Sequence, residues 1–215
     1  MAQERPELVQ TFSVAETGRL GQAIWRQDSA AARATDALLA QSDGQVPEGL
    51  IGWIVTPEGD AQRVRFLSGE PDAPRAFKDV VVDSQLKAGV VIDVENPELT
   101  PEELAQFAAR NSAAQAIGPL RCAARYNAVV LKDTDGEGWL VWLLASTTQA
   151  NIVPMGGHYR FHVSADGKTV EKREQLSGGC LDMNRRQAQQ GGQTVGLVTN
   201  IVVAPQPLEV HVFLS

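Results

Sequence analysis

Hydrophobic and polar positions along the chain alternate between a helical period and a strand period. From Ser13 to about Gln41, Leu20, Ile24 and Ala31 fall on one stripe that Leu38 completes and Trp25 borders, which predicts an amphipathic helix. Gly18 and Gly21 weaken its first turns, and Gly44 in SDG suits a left-handed end. The period then drops to two. Leu50 to Thr56 and Ala61 to Leu67 read as strands around PEGD, EPDAPRA as a loop, and Phe77 to Asp83 and Ala88 to Val94 as further strands. In LTPEELAQFAARNSAAQAIG a second helix has its start marked. Thr100 is the N-cap, Pro101 the first helical residue, and Glu103 completes a capping box. Leu104, Phe107, Ala108 and Asn111 are its expected inner stripe, and Gly118-Pro119 ends it.

The last hundred residues read as β. Arg125 to Lys132 and Gly138 to Thr147 flank DTDGEG, and Gly157 to Ser164 and Lys168 to Gln175 flank Asp166-Gly167. Val195 to Ala204 and Leu208 to Leu214 flank PQP. In GWLVWLLAST both alternating faces are apolar, so this strand is expected at the centre of a sheet covered on both sides. The fold class that follows is α+β, a largely antiparallel sheet with two principal helices packed on it. Residues 1–12 read as a flexible, polar N-terminus and residues 13–215 as a single domain. Two lobes, 13–95 and 96–215, are the alternative, because both halves run helix first and strands after.

At 215 residues, with 43% hydrophobic and 21% charged residues, the chain can bury a sizeable core. A formal charge of -7 argues against a general nucleic-acid or anionic-membrane surface. No apolar run approaches the roughly 20 residues that span a bilayer. The start MAQERPEL looks like a mature end left by signal-peptide cleavage, which points to a periplasmic or secreted protein; a cytoplasmic one is the alternative.

Candidate chemistry centres on GGHYRFHVSADGK, where His158 and His162 lie four apart. Alternation puts Tyr159, Phe161 and Val163 on one face and His158, Arg160 and His162 on the other. On a strand the two imidazoles stand roughly 13 Å apart, too far to share one metal ion, so no metal is expected. The Asp166-Gly167 turn sets Val163 opposite Val170 and His162 opposite Glu171, predicting a cross-strand His162–Glu171 pair on a solvated face. Glu209 and His211 share a face of the last predicted strand. With His158, Arg160, His162 and Glu171 they form a candidate patch for an anion or a partner.

Cys122 and Cys180 are too far apart for a CxxC motif or a zinc knuckle. They are either bridged or two buried thiols. DTDGEG lacks the ligand pattern of a calcium loop and reads as a turn. No GxSxG, P-loop, GxGxxG, CxxC or HExxH occurs, and no cofactor is implied. NRRQAQQGGQ, from Asn184 to Gln193, is a long polar loop.

The stretches GGHYRFHVSADGK, EQLSGGCL and PLEVHVFLS, with GRLGQAIWRQDSAAARATDALL near the start, resemble a group of uncharacterised exported bacterial proteins. That resemblance covers most of the chain. It implies a periplasmic or secreted protein, favours a Cys122–Cys180 bridge and carries over no catalytic residue. The expected function is therefore non-enzymatic, the binding of a partner or small ligand through a sheet face or the loop around Arg185. The alternative is a hydrolase-like enzyme using Cys180, or a His162/His211 site assembled by the fold.

Overall fold

The computed structural model describes residues 7–120, 122–184 and 201–215, and these form an α+β fold. Helix α1 (Val14–Gln41) starts at the first residues of the helical pattern despite Gly18 and Gly21, with Ser13 Oγ accepting the Glu16 N–H at 3.2 Å. A first antiparallel sheet follows: β1 (Leu50–Glu58), β2 (Ala61–Glu70), β3 (Ala73–Val82) and the short β4 (Ile92–Asp93), in that order. Two differences from the sequence reading appear here. The expected loop EPDAPRA is mostly strand with a turn at Pro71-Asp72, and of the expected strand from Ala88 to Val94 only β4 and a bridge from Val82 to Ala88 form. Between the bridge and β4, Val90 is exposed, so little burial holds that stretch in the ladder.

Helix α2 (Pro101–Ala116) has the predicted Thr100–Glu103 capping box. Of the predicted inner stripe, Phe107 is buried, Ala108 and Asn111 are half-buried, and Leu104 is not. Glu103, Gln106, Phe107, Ala109 and Ala113 are buried, whereas Leu104 is 41% exposed. Alanines let the helix approach a sheet closely, so the buried stripe carries little bulk for a pattern to detect. The second sheet orders β5 (Arg125–Lys132), β6 (Trp139–Ser146), β8 (Tyr159–Val163) and β9 (Val170–Gln175), all antiparallel neighbours. Strands β7 (Ile152–Pro154) and β10 (Asp182–Asn184) pair separately. As expected, β6 is buried on both faces.

The chain closes with a helix where a strand is predicted. Glu209–Phe213 is α3, although Leu208, Val210, Val212 and Leu214 alternate. Residues 201–204 form no strand, and residues 195–200 of the other predicted strand lie outside the described residues. The physical reason is packing. Val212 and the Glu209 carbonyl sit against Gly21 of α1, in space that a Cβ at that position would occupy. Tertiary contact overrides the strand preference of Val-His-Val-Phe.

Helix α1 is about 42 Å long at 1.5 Å per residue, enough to serve both sheets. Its first half packs Leu20 and Ile24 against Val129, Leu140, Trp142 and Leu144 of the second sheet. Its second half packs Ala30, Ala31, Ala34 and Leu38 against Val55, Val64, Phe66, Val80 and Val82 of the first. On the opposite side, α2 packs Ala109, Ala113 and Ile117 against Val130, Val141, Leu143 and Phe161. One register recurs in both halves. Val55, Val64 and Val80 form one rung, and Val130, Val141 and Phe161 form the matching rung. The helices repeat a spacing as well, with Gln27, Ala30, Ala34 and Leu38 matching Gln106, Ala109, Ala113 and Ile117.

Candidate functional site

The polar face of β8 is not solvated. Arg160, at its centre, is fully buried. Its guanidinium donates Nε–H to Glu174 Oε2 at 2.8 Å, Nη1–H to Glu209 Oε1 at 2.8 Å and Nη2–H to the Gln10 carbonyl. It also lies 4.8 Å from the centre of the Phe12 ring. Glu209 Oε1 further accepts the Trp142 indole N–H at 2.8 Å, while Glu209 Oε2 is buried without a partner among the described residues. The covers are α3 and the stretch before α1. Read from its polarity as a loose end, that stretch buries Val9 and Phe12. It is tied down by the Val9 N–H on the Val203 carbonyl (3.0 Å) and by the Gln206 amide on the Phe12 carbonyl (2.6 Å).

His162 does not pair with Glu171. Val163 stands opposite Val170 as predicted, but the ladder slips by one residue between Val163 and His162, which places Lys172 opposite His162. Glu171 is the extra, exposed residue of this bulge. The slip brings Glu174 to the imidazole instead, 3.0 Å from Nε2. Burial would raise the Glu174 carboxyl. The hydrogen bond with His162, the charge of Arg160, the Gln10 N–H and Lys172 together outweigh it and hold the group far below the usual carboxylate range.

His158 is buried at the other end of the strand. Its Nδ1 accepts the Ala145 N–H at 3.0 Å, so the neutral ring carries its proton on Nε2. Burial pushes its pKa down to about 4; the Pro154 carbonyl opposes the fall and the neighbouring His211 adds to it. His211, on α3 rather than a strand, accepts the Leu208 N–H through Nδ1 at 2.9 Å and is also lowered, chiefly by burial. The fold therefore gathers Arg160, His162 and Glu209 into one network, sets His158 beside His211, and leaves Glu171 outside. Glu174, Trp142 and Gln10 belong to the network and were missed. The buried Trp142 indole, which needs an acceptor, is the one of these that a sequence could flag.

Cys122 and Cys180 form a disulfide with their Cα atoms 5.1 Å apart. The Cys180 sulfur is thus no thiolate nucleophile. Among the described residues no three His, Cys, Asp or Glu side chains gather as a metal-binding group, and no helix is long and apolar enough to cross a membrane. The loop around Arg185 lies outside the described residues.

A second polar assembly occupies the seam between the sheets. Strands β1 and β5 are edge strands of separate sheets and do not pair with each other. Gln106 Nε2 donates to the Val55 carbonyl of β1 at 2.9 Å and reaches the Val130 carbonyl of β5 at 3.4 Å. Gln27 Nε2 reaches the Val55 carbonyl from α1 at 3.4 Å. Beyond these amides a cavity of about 420 Å³ opens between Val55, Thr56 and Pro57 on one side and Val130, Leu131 and Lys132 on the other. Its charges are paired: Glu103 holds Arg65 at 2.9 Å and Arg63 at 3.4 Å, and Lys132 stands 3.6 Å from Glu102.

No family model matches the chain, and neither a curated protein nor a solved structure is significantly similar to it.

Proposed function

We propose that the chain is an exported, non-catalytic protein that binds a partner or a small ligand. The observation that carries this reading is the commitment of its reactive groups to structure. Arg160 is bonded to both Glu174 and Glu209 in a buried site, His162 is engaged with Glu174, and both cysteines are joined. A hydrolytic site needs a nucleophile and a base open to substrate. The disulfide supports an oxidising compartment, in line with the resemblance to exported bacterial proteins.

Fractionation of the source cells, with a thiol count on the purified chain, tests the location; ester, peptide, glycoside and phosphate substrates test the chemistry. The expected result is an extracytoplasmic protein with no free thiol and no turnover. Turnover that His162→Ala or His211→Ala abolishes overturns the non-catalytic part, and a reduced protein in the cytoplasm overturns the exported part.

A further inference from the structure

We propose that the seam between β1 and β5 takes an extended, uncharged segment of a partner polypeptide, which adds as a strand between the two edges. This deepens the binding reading above and rests on it. Three observations converge on the seam. Both edges present carbonyls outward, and the nitrogen of one side chain, Gln106, reaches one on each side. An amide nitrogen in that position does what the backbone N–H of an intervening strand would do. The two edges that this one nitrogen reaches do not pair with each other.

The glutamines fill only the inner part of this gap. Past Val55 and Val130 the edges run on into the cavity, ending at Pro57 and Lys132. Exposed edges are templates for another chain, and since Pro57 has no N–H the β1 edge here can only accept through its carbonyls.

The chemistry of the walls selects the occupant. Glu103 is spent on Arg63, Arg65 and the Thr100 cap, and Lys132 faces Glu102, so each charged side chain of the wall already has an opposite charge beside it. What remains of the wall is the nearly buried Val55, Val130 and Trp139, the half-buried Leu131 and the hydroxyl of Thr56. A neutral backbone with small alternating side chains matches that set. The site lies at equivalent places in the two halves. Gln27 and Gln106 hold the same position in their helices, as Val55 and Val130 do in their strands, so both halves contribute to one groove.

The test uses a blocked heptapeptide of alternating threonine and valine with a benzophenone at its central side chain, photolysed with the intact oxidised protein. A twin peptide carries N-methyl groups on alternate backbone amides. The expected crosslinks, mapped by mass spectrometry, fall on residues 55–57 and 130–132. The methylated twin should give about tenfold less, since it loses one to two backbone hydrogen bonds. Thr56→Trp, which fills the cavity, should reduce the yield similarly, and Val90→Ala, at an exposed position outside the cavity wall, should not. Equal yield from the methylated twin, crosslinks centred elsewhere, or no crosslink with millimolar peptide each overturns the strand site. None of these touches the location and turnover tests, so the failure of this site is distinct from failure of the binding reading.

Discussion

The two halves place an arginine–carboxylate cluster at the same rung of their sheets, with different burial. In the first half Ile54, Arg65 and Asp79 stand side by side; in the second, Val129, Trp142 and Arg160 occupy the matching rung. Arg65 forks onto Asp79 at 2.9 and 2.7 Å and reaches Glu103 of α2, yet its side chain keeps 13% exposure. Arg160 keeps none. The strands alone do not explain this. The difference lies in the cover: the first turn of α2 reaches the Arg65 cluster with one carboxylate, whereas α3 and residues 7–12 close over Arg160. Burial of a charge is set by what the rest of the chain lays over the sheet.

The sharpest way to break this comparison is to remove each cation. Arg160→Met leaves two carboxylates buried without a counter-charge and should cost about 3–5 kcal/mol. Arg65→Met, where water reaches the site and Arg63 still faces Glu103, should cost about 1–3 kcal/mol. Urea unfolding measures both, and equal losses would show that cover is irrelevant. Removing the disulfide with Cys122→Ser and Cys180→Ser should cost about 4 kcal/mol on the chain-entropy account. Amide exchange should quicken in the second sheet before the first, because both cysteines lie in the second half; a uniform increase would contradict that.

Acid should also act on one half. His158 has a folded pKa of about 4 against an ordinary 6.5, so the unfolded chain takes up its proton first. Its contribution is complete above pH 6.5 and lost as pH falls to about 4, an effect of roughly 3 kcal/mol. Glu174, held below its ordinary 4.5, contributes above that pH and loses its share as pH falls further. A His158→Gln protein should lose the upper window and keep the lower one; an unchanged melting profile between pH 6.5 and 4 would refute the assignment. The smallest effect separates the two seam amides. Gln106→Leu strips a donor from two carbonyls and should cost about 1–2 kcal/mol, against less than about 1 kcal/mol for Gln27→Leu with its single long contact.

Much of this architecture is legible in the sequence where local chemistry decides it. The Thr100–Glu103 box starts α2 as read, and the two-faced apolar run of β6 lies at the centre of a covered sheet. Legibility fails where distant contacts decide. One bulged residue exchanges Glu171 for Glu174 beside His162, and no alternation rule foresees a slip inside a hairpin. Helix α3 reads as a strand because its partner surface at Gly21 lies far away in sequence. The repeated Gln-Ala-Ala-Leu/Ile spacing of α1 and α2 is present in the sequence, yet alanine is too common for the pattern to stand out until the sheets give it a register.

The tie between residues 7–12 and the last residues of the chain bears on how the protein is made. Leu20 and Ile24 leave the ribosome before the residues of β5, β6 and α3 that they pack with. Until the C-terminal residues arrive, that half of α1 has no home, and Arg160 has no lid. Contacts so distant along the chain slow folding, and an apolar helix face left waiting is prone to association. The protein should therefore depend on a holding chaperone during synthesis, and chains truncated before Pro207 should be cleared rather than accumulate.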